Sequence, residues 1–143
     1  MYKSILLTVD LEHEASWKKA LPEAARIARD DEAVLHVLAV VPDFGSPLVA
    51  ADFPPDFQKK AVDRARKRLE ALLAGEIPWP LKAIRSHVAV GRVHEVILEH
   101  IGSTGADLVV MASHAPDRVR EFLVGSQADR VVRRSPVSVL VVR

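Results

Sequence analysis

The chain ends with ADLVVMASHAPDRVREFLVGSQADRVVRRSPVSVLVVR, from Ala106 to Arg143, and this segment gives the strongest indication of the fold. An apolar run from Leu108 to Ala112 is followed by a polar loop and by a short helix that opens at Gly125 and Ser126, with Asp129 as an imperfect capping-box partner of Ser126. A second apolar run, from Val137 to Val142, closes the segment. In α/β proteins, a strand that leads through a loop to a helix N-terminus often binds phosphate, because the unpaired amides and the helix dipole attract anions. The segment therefore predicts half of an α/β sheet with an anion site at its edge.

The same alternation of strand and helix repeats in the earlier part of the chain. Strands are predicted at residues 2–9, 33–41 and 82–90, each rich in Ile, Leu or Val. Segments between them predict helices, and Pro22 is expected to kink the first helix after Ser16 or to delay its start to Ala20. Five strands and four helices in strict alternation predict one right-handed, doubly wound parallel sheet of the α/β class.

The composition excludes several classes of protein. A chain of 143 residues predicts a single domain, residues 1–143, and 49% hydrophobic content excludes intrinsic disorder. The absence of cysteine excludes disulfide scaffolds, thiolate zinc sites and thiol nucleophiles. No apolar run approaches the roughly 20 residues of a membrane span. Because no basic segment with a cleavage site follows Met1, we expect a cytoplasmic protein.

A run of basic residues lies on the helix predicted from Phe57 onward, but the net charge of the chain is only +1. Asp63 and Glu70 dilute the run, and no aromatic side chains are interspersed in it. A solvated helix face is therefore favoured over a nucleic-acid patch, and we expect no nucleic-acid partner.

A ligand site is predicted where the order of strands reverses, beyond the carboxyl ends of the first and fourth strands. Backbone amides, a hydroxyl and a carboxylate are expected to meet there, from Thr8, Val9, Asp10, Ala112, Ser113, Gly125 and Ser126. Amides and a hydroxyl suit phosphates, and a carboxylate suits an adenine amino group or a ribose hydroxyl. Two alternatives stay open: an ordinary helix N-terminus at Gly125, and a cap or turn at Asp10.

Catalytic signatures are absent from the sequence: it contains no P-loop, no GxGxxG fingerprint, no GxSxG elbow and no HExxH motif. His13 lies between two glutamates, yet an exposed loop is favoured there over a metal site. His36 is expected to be a packed, hydrogen-bonded core residue. His114 lies in the candidate site loop, where it suits either a phosphate contact or the shaping of the loop. We therefore expect a binding protein rather than an enzyme.

The whole chain resembles a single-domain universal stress protein. The residues that carry this resemblance are YKSILLTVD at the start, LHVLAVV in the second strand, GRVHEVILEH, and above all GADLVVMASH with FLVGSQADRVVRRSPVSVLVVR. The resemblance implies a Rossmann-like sheet in the order 3-2-1-4-5 and a homodimer formed through the last strand, from Val137 to Val142. It also implies ATP, or AMP or ADP, as ligand, with Mg²⁺ held through the phosphates.

The ATP-binding motif of that family is a glycine, two residues, a second glycine, nine residues, and then Gly-Ser or Gly-Thr. Here Gly125 and Ser126 match its end, whereas Ala112 and Ala115 stand at the two earlier glycines with both spacings preserved. The Ala-Ser-His-x-Pro form is similar to the F/G-like branch of the family, which also binds nucleotide. The site implied by this resemblance consists of Thr8, Val9, Asp10, Val37, Ala112, Ser113, His114, Ala115, Gly125, Ser126 and Gln127.

Two functions fit this sequence. The first is a nucleotide-responsive regulatory dimer that acts on an unidentified protein partner under stress, with residues 42–56 as a lid or partner surface. The second is a nucleotide-independent dimeric interaction module, in which Ala112 and Ala115 close the pocket.

Overall fold

The computed structural model describes residues 1–42, 56–113 and 125–143. The described part of the chain forms one five-stranded, all-parallel sheet in the order β3-β2-β1-β4-β5, which confirms the predicted fold class. The strands are β1 (Ser4–Val9), β2 (Val34–Pro42), β3 (Ala83–Gly91), β4 (Leu108–Ala112) and β5 (Ser138–Val142). The segment predicted as a lid or partner surface, residues 42–56, lies outside the described residues except for its two ends. His114 and Ala115 also lie outside them.

Four α-helices connect these strands in the described ranges. They are α1 (Ala20–Asp30), α2 (Phe57–Glu76), α3 (Val93–Thr104) and α4 (Ser126–Arg134), and a short 3-10 turn (Glu14–Ser16) precedes α1. Helix α1 begins at Ala20, which is one of the two outcomes expected from Pro22. Pro22 occupies the first turn of this helix, where amides have no partner inside the helix and a missing N–H costs little. None of these helices combines the length and the apolar character that crossing a bilayer requires.

Two hydrophobic clusters pack on opposite faces of the sheet, because side chains alternate along each strand. On one face, Ile5 and Leu7 of β1 join residues of α1 and Leu69 of α2. On the other face, Leu6 of β1 packs with residues of α3 and with Val131 of α4. The chain therefore changes face between α2 and α3. This reversal leaves a cleft above β1 and β4, at the carboxyl ends of the strands.

Two local features differ from the sequence predictions. Ser126 was expected to cap α4 with Asp129 as the partner of a capping box, but the N-cap residue is Gly125 and no side chain caps it. The carboxylate of Asp129 instead accepts from Nε of Arg133 at 3.0 Å, one turn along the helix. The last strand begins one residue later than expected because the Ser135 hydroxyl bonds both the amide and the carbonyl of Val137, which forms a turn.

Candidate functional site

A cavity of about 620 Å³ lies at the carboxyl ends of the strands, where the sequence predicts a ligand site. Strands β1, β2 and β4 form its floor, and helices α2, α3 and α4 contribute to its walls. Seven residues predicted for the site line this cavity: Thr8, Val9, Asp10, Ala112, Gly125, Ser126 and Gln127. Helix packing therefore brings together residues that are more than 100 positions apart in the chain.

The turn after β1 is held by a compact set of hydrogen bonds around Asp10. The buried hydroxyl of Ser16 accepts from the Asp10 amide at 2.8 Å and contacts the carbonyl oxygens of Asp10 at 2.8 Å and His13 at 2.7 Å. The Asp10 carboxylate accepts from the Glu12 amide at 3.0 Å and lies 2.8 Å from Nδ1 of His13. Asp10 thus shapes the turn, which is one of the two interpretations of this residue, and it also lines the cavity. Its carboxylate is held in a defined orientation.

The opposite side of the cavity is formed by the end of β4 and the beginning of α4. Ala112 ends β4, and Gly125 and Ser126 begin the helix, so the N-terminal amides of α4 lie at the cavity. The positive end of a helix dipole favours anions at this position. The side-chain oxygen of Gln127 is buried there and accepts no hydrogen bond from any described residue. A buried acceptor without a donor is uncommon in folded proteins.

Two described residues that were predicted for the site, Val37 and Ser113, are not among the residues that line the cavity. Val37 is fully buried in the middle of β2, beside Leu7 of β1, and residues 39–41 of β2 line the cavity in its place. The reason is the register: the last residue of β1, Val9, is paired with Ala39, so the strand edge is reached two residues after Val37. Ser113 is also not among the lining residues, and its amide donates to the carbonyl of Val142 at 2.7 Å.

Helix α2 provides a wall that the sequence prediction did not include. Its cavity face consists of Ala61, Arg64, Ala65 and Arg68. Spacings of three and four residues place these side chains on one side of a helix. This spacing is visible in the sequence and could have predicted the wall. For the basic run, the sequence favoured a solvated helix face over a nucleic-acid patch, and neither interpretation placed it at the cavity. In the structure, Arg68 donates from Nη1 to Oε1 of Glu12 and from Nη2 to the carbonyl of Leu11 at 2.8 Å.

The charges of the cavity are partly balanced. Asp10 and Glu12 contribute carboxylates, and Arg64 and Arg68 contribute guanidinium groups. Within the described ranges, no group of three or more histidine, aspartate or glutamate side chains is placed to hold a metal ion. Chemically, the cavity offers two carboxylates, a helix N-terminus, two cations and apolar walls. This combination suits a ligand with hydroxyl groups, an anionic group and a flat apolar ring.

Comparison with known proteins agrees with this geometry. The sequence model of the universal stress protein family matches residues 1–143. Universal stress protein G from Shigella flexneri is 34% identical over 146 residues, which cover 100% of both chains. Among solved structures, universal stress protein UspA from Lactobacillus plantarum superposes with a TM-score of 0.69 at 23% identity, covering 99% of this chain and 98% of that one.

A universal stress protein solved in complex with cAMP superposes with a TM-score of 0.64 at 23% identity, covering 99% of this chain and 97% of that one. At this level of identity the two solved structures establish the shared fold. The family model and the relative at 34% identity both extend over the full chain. This chain is a member of the universal stress protein family.

Proposed function

We propose that the cavity binds an adenine nucleotide, with ATP as the principal ligand, and that binding regulates a stress-response partner. Family membership supports the role in stress response. We propose that this protein is a cytoplasmic homodimer. Its single domain would act by binding rather than by catalysis, since no residue was identified as a general base. A universal stress protein of the same fold has been solved with cAMP, which shares the adenosine part of ATP.

The main support for this proposal is the position of the α4 N-terminus across the cavity from the turn after β1. Amides at Gly125 and Ser126 would bind phosphate oxygens, and the Asp10 carboxylate would accept from a ribose hydroxyl or the adenine amino group. Gln127, which lines the cavity next to these amides, would help to hold the ribose and phosphates. His114, Ser113 and Ala115 stay in the proposal as loop contacts, and Mg²⁺ would bind through the phosphates rather than through the protein.

The alternative function, a closed and nucleotide-independent module, depends on Ala112 and Ala115. Two observations argue against closure at Ala112. The cavity volume is about 620 Å³ with Ala112 on its wall. In the described part of the chain, Glu32 is the one non-glycine residue with positive φ, at 52°, so the backbone at Ala112 does not require glycine.

The proposal is tested by nucleotide release and by titration. The purified protein is denatured, any released small molecule is identified by chromatography and mass, and the stripped protein is titrated with ATP and Mg²⁺ by calorimetry. We expect saturable binding. If neither release nor binding is detected up to millimolar ATP, the proposal is wrong and the interaction module replaces it.

A matched pair of variants assigns the binding to the α4 N-terminus. Gly125 has φ −55° and ψ 151°, angles that valine adopts without strain, so Gly125→Val adds bulk at the site without an unfavourable backbone. We expect at least about 100-fold weaker ATP binding, the loss that two charge-assisted hydrogen bonds would give. Gly102→Val is the control, because a side chain at Gly102 has open space in α3 outside the cavity. Equal affinity of the Gly125 variant and the control would contradict the assignment.

A further inference from the structure

The two charged walls of the cavity belong to opposite faces of the sheet. Helix α2 packs through Leu69 into one hydrophobic cluster, whereas α4 packs through Ala128 and Val131 into the other. A ligand that lies across the carboxyl ends of β1 and β4 therefore has the α4 N-terminus at one end and α2 at the other. If phosphates occupy the amides of α4, the opposite end of the ligand faces α2.

Arg68 and Arg64 occupy different positions on the α2 wall. Arg68 is held by Glu12 and by the carbonyl of Leu11, in the turn just beyond β1. Helix α2 connects the parallel strands β2 and β3 and therefore runs back from the carboxyl edge of the sheet toward the amino end of β3, so its earlier residues lie farther in the carboxyl direction. Arg64 precedes Arg68 by four residues, about 6 Å along the helix axis. Its side chain therefore emerges above the cavity, one turn farther out than Arg68.

Arg64 carries a charge that no carboxylate of the described residues neutralises. Arg68 is neutralised by Glu12, but among the described residues no carboxylate forms an ion pair with Arg64. The side chain is exposed and lines the cavity. Ala61 and Ala65 lie beside it on the same helix face, and these small residues leave room next to the guanidinium group. The planar guanidinium group of Arg64 is thus positioned at the rim of an apolar slot between Ala61 and Ala65 of α2 and residues 39–41 of β2.

Residues 39–41 of β2 form the floor of this slot, and all three are apolar. An apolar slot with a planar cation above it suits a flat aromatic ring, since guanidinium groups stack on aromatic faces. We infer that Arg64 stacks on the purine base of the bound nucleotide, and that Arg68 positions the turn from Asp10 to Glu12 beneath it. This inference rests on the proposed nucleotide-binding function and adds a base-recognition residue that lies outside the glycine-containing loop.

The test compares ligands that share the base but differ in charge. Dissociation constants for adenosine, AMP and ATP are measured by calorimetry or by competition, for the wild-type protein and for Arg64→Ala. Stacking on the base predicts that Arg64→Ala weakens all three ligands by the same factor, about 2- to 30-fold. Arg66→Ala is the matched control, because Arg66 is an exposed arginine on α2 that does not line the cavity.

The alternative outcomes separate the two proposals. Weaker binding of ATP with unchanged binding of adenosine would assign Arg64 to the phosphates and overturn the inference. Unchanged binding of all three ligands would also overturn it and leave the nucleotide site intact. If the wild-type protein binds none of them, the proposed function itself fails and the inference fails with it. Because Arg64 is exposed, Arg64→Ala is expected to keep the wild-type thermal unfolding midpoint, which is measured alongside.

Discussion

The imidazole rings of His36 and His87 stack across the β2–β3 ladder, with Nδ1 of His36 2.9 Å from Nε2 of His87 and ring centroids 5.1 Å apart. His100 of α3 lies edge-on to His87 at 5.8 Å. In the contact between His36 and His87 one nitrogen donates a proton to the lone pair of the other, so at least one of the two rings is neutral. His36 was expected to be a hydrogen-bonded core residue; it is hydrogen-bonded but only half-buried, because its partner lies on the edge strand β3.

This histidine pair predicts that acid destabilises the fold. Burial lowers the pKa of His36 below the ordinary value of 6.5, and the nearby charges of His87 and Arg85 lower it further. Burial, followed by the charge of His100, lowers the pKa of His87. The unfolded chain therefore binds more protons than the folded protein as the pH falls below about 6.5, and the free energy of unfolding decreases. Urea unfolding between about pH 5 and pH 8 measures this slope.

His87→Gln removes one titrating group of the pair and relieves the charge on His36. We expect the variant to lose less stability than the wild-type protein when the pH is lowered from about 7 to about 5. An identical dependence of the unfolding free energy on pH in the two proteins would show that the pair does not contribute.

Asp107 anchors the beginning of β1 to the beginning of β4. Its carboxylate accepts from the amides of Lys3 at 3.0 Å and Ser4 at 3.1 Å, and its own amide donates to the Ser4 carbonyl at 2.9 Å. Asp107→Ala leaves two amides without their acceptor, and we expect a loss of about 1–3 kcal/mol in the free energy of unfolding. Denaturant titration measures this loss. Glu70→Ala, an exposed acid on α2, is the control and should change little.

Gly91 ends β3 with φ +148°, a conformation that side chains rarely adopt, and an added Cβ would lie 2.9 Å from Cγ2 of Val96. Gly91→Ala is expected to cost about 1–3 kcal/mol of stability, because the backbone would be strained and Val96 would have to move. The comparison variant is Gly75→Ala on α2, where a Cβ has open space and alanine favours the helix. A denaturation midpoint that falls equally in both variants would contradict this interpretation.

Strand β5 lies at one edge of the sheet, and the direction of its backbone amides indicates which substitution would prevent a homodimer through this strand. The Val142 carbonyl accepts from Ser113, so Leu140 and Val142 direct their backbone groups toward β4. Residues in between point the opposite way, and the Val141 amide therefore faces the open edge. Val141→Pro removes an amide that a second copy would need, while the β4–β5 ladder is kept.

We expect a dimer in sedimentation at micromolar concentration for the wild-type protein and for Val141→Thr, which keeps the amide. The proline variant is expected to sediment as a monomer near 15.7 kDa. A wild-type protein that is monomeric would contradict the proposed dimer. A dimeric proline variant would instead place its interface elsewhere than the β5 edge.

Much of the site could be anticipated because it follows from short-range patterns. Apolar runs indicate buried strands, and alternation with helices makes the strands parallel, so their carboxyl ends share one edge. That reasoning was enough to bring Asp10 and Gly125 to one cavity. The order 3-2-1-4-5 came from the resemblance to the family, and the structure confirms it.

Other parts of the site depended on distances that no local pattern contains. The register of β2 against β1 places Ala39, rather than Val37, level with the end of β1. The rotation of α2 about its axis turns Arg64 and Arg68 toward the cavity, although the same run also reads as a solvated face. The strand register and the helix rotation both depend on how one element packs against another.

Element types, their alternation and the edge that carries the site are properties of neighbouring residues, since periodicity and turn chemistry act within a few positions of the chain. The bond from Arg68 to Leu11 and the stacking of His36 on His87 join residues more than fifty positions apart. Such contacts form only when packing of the two hydrophobic clusters sets the spacing between elements, and the folded structure was required to reveal them.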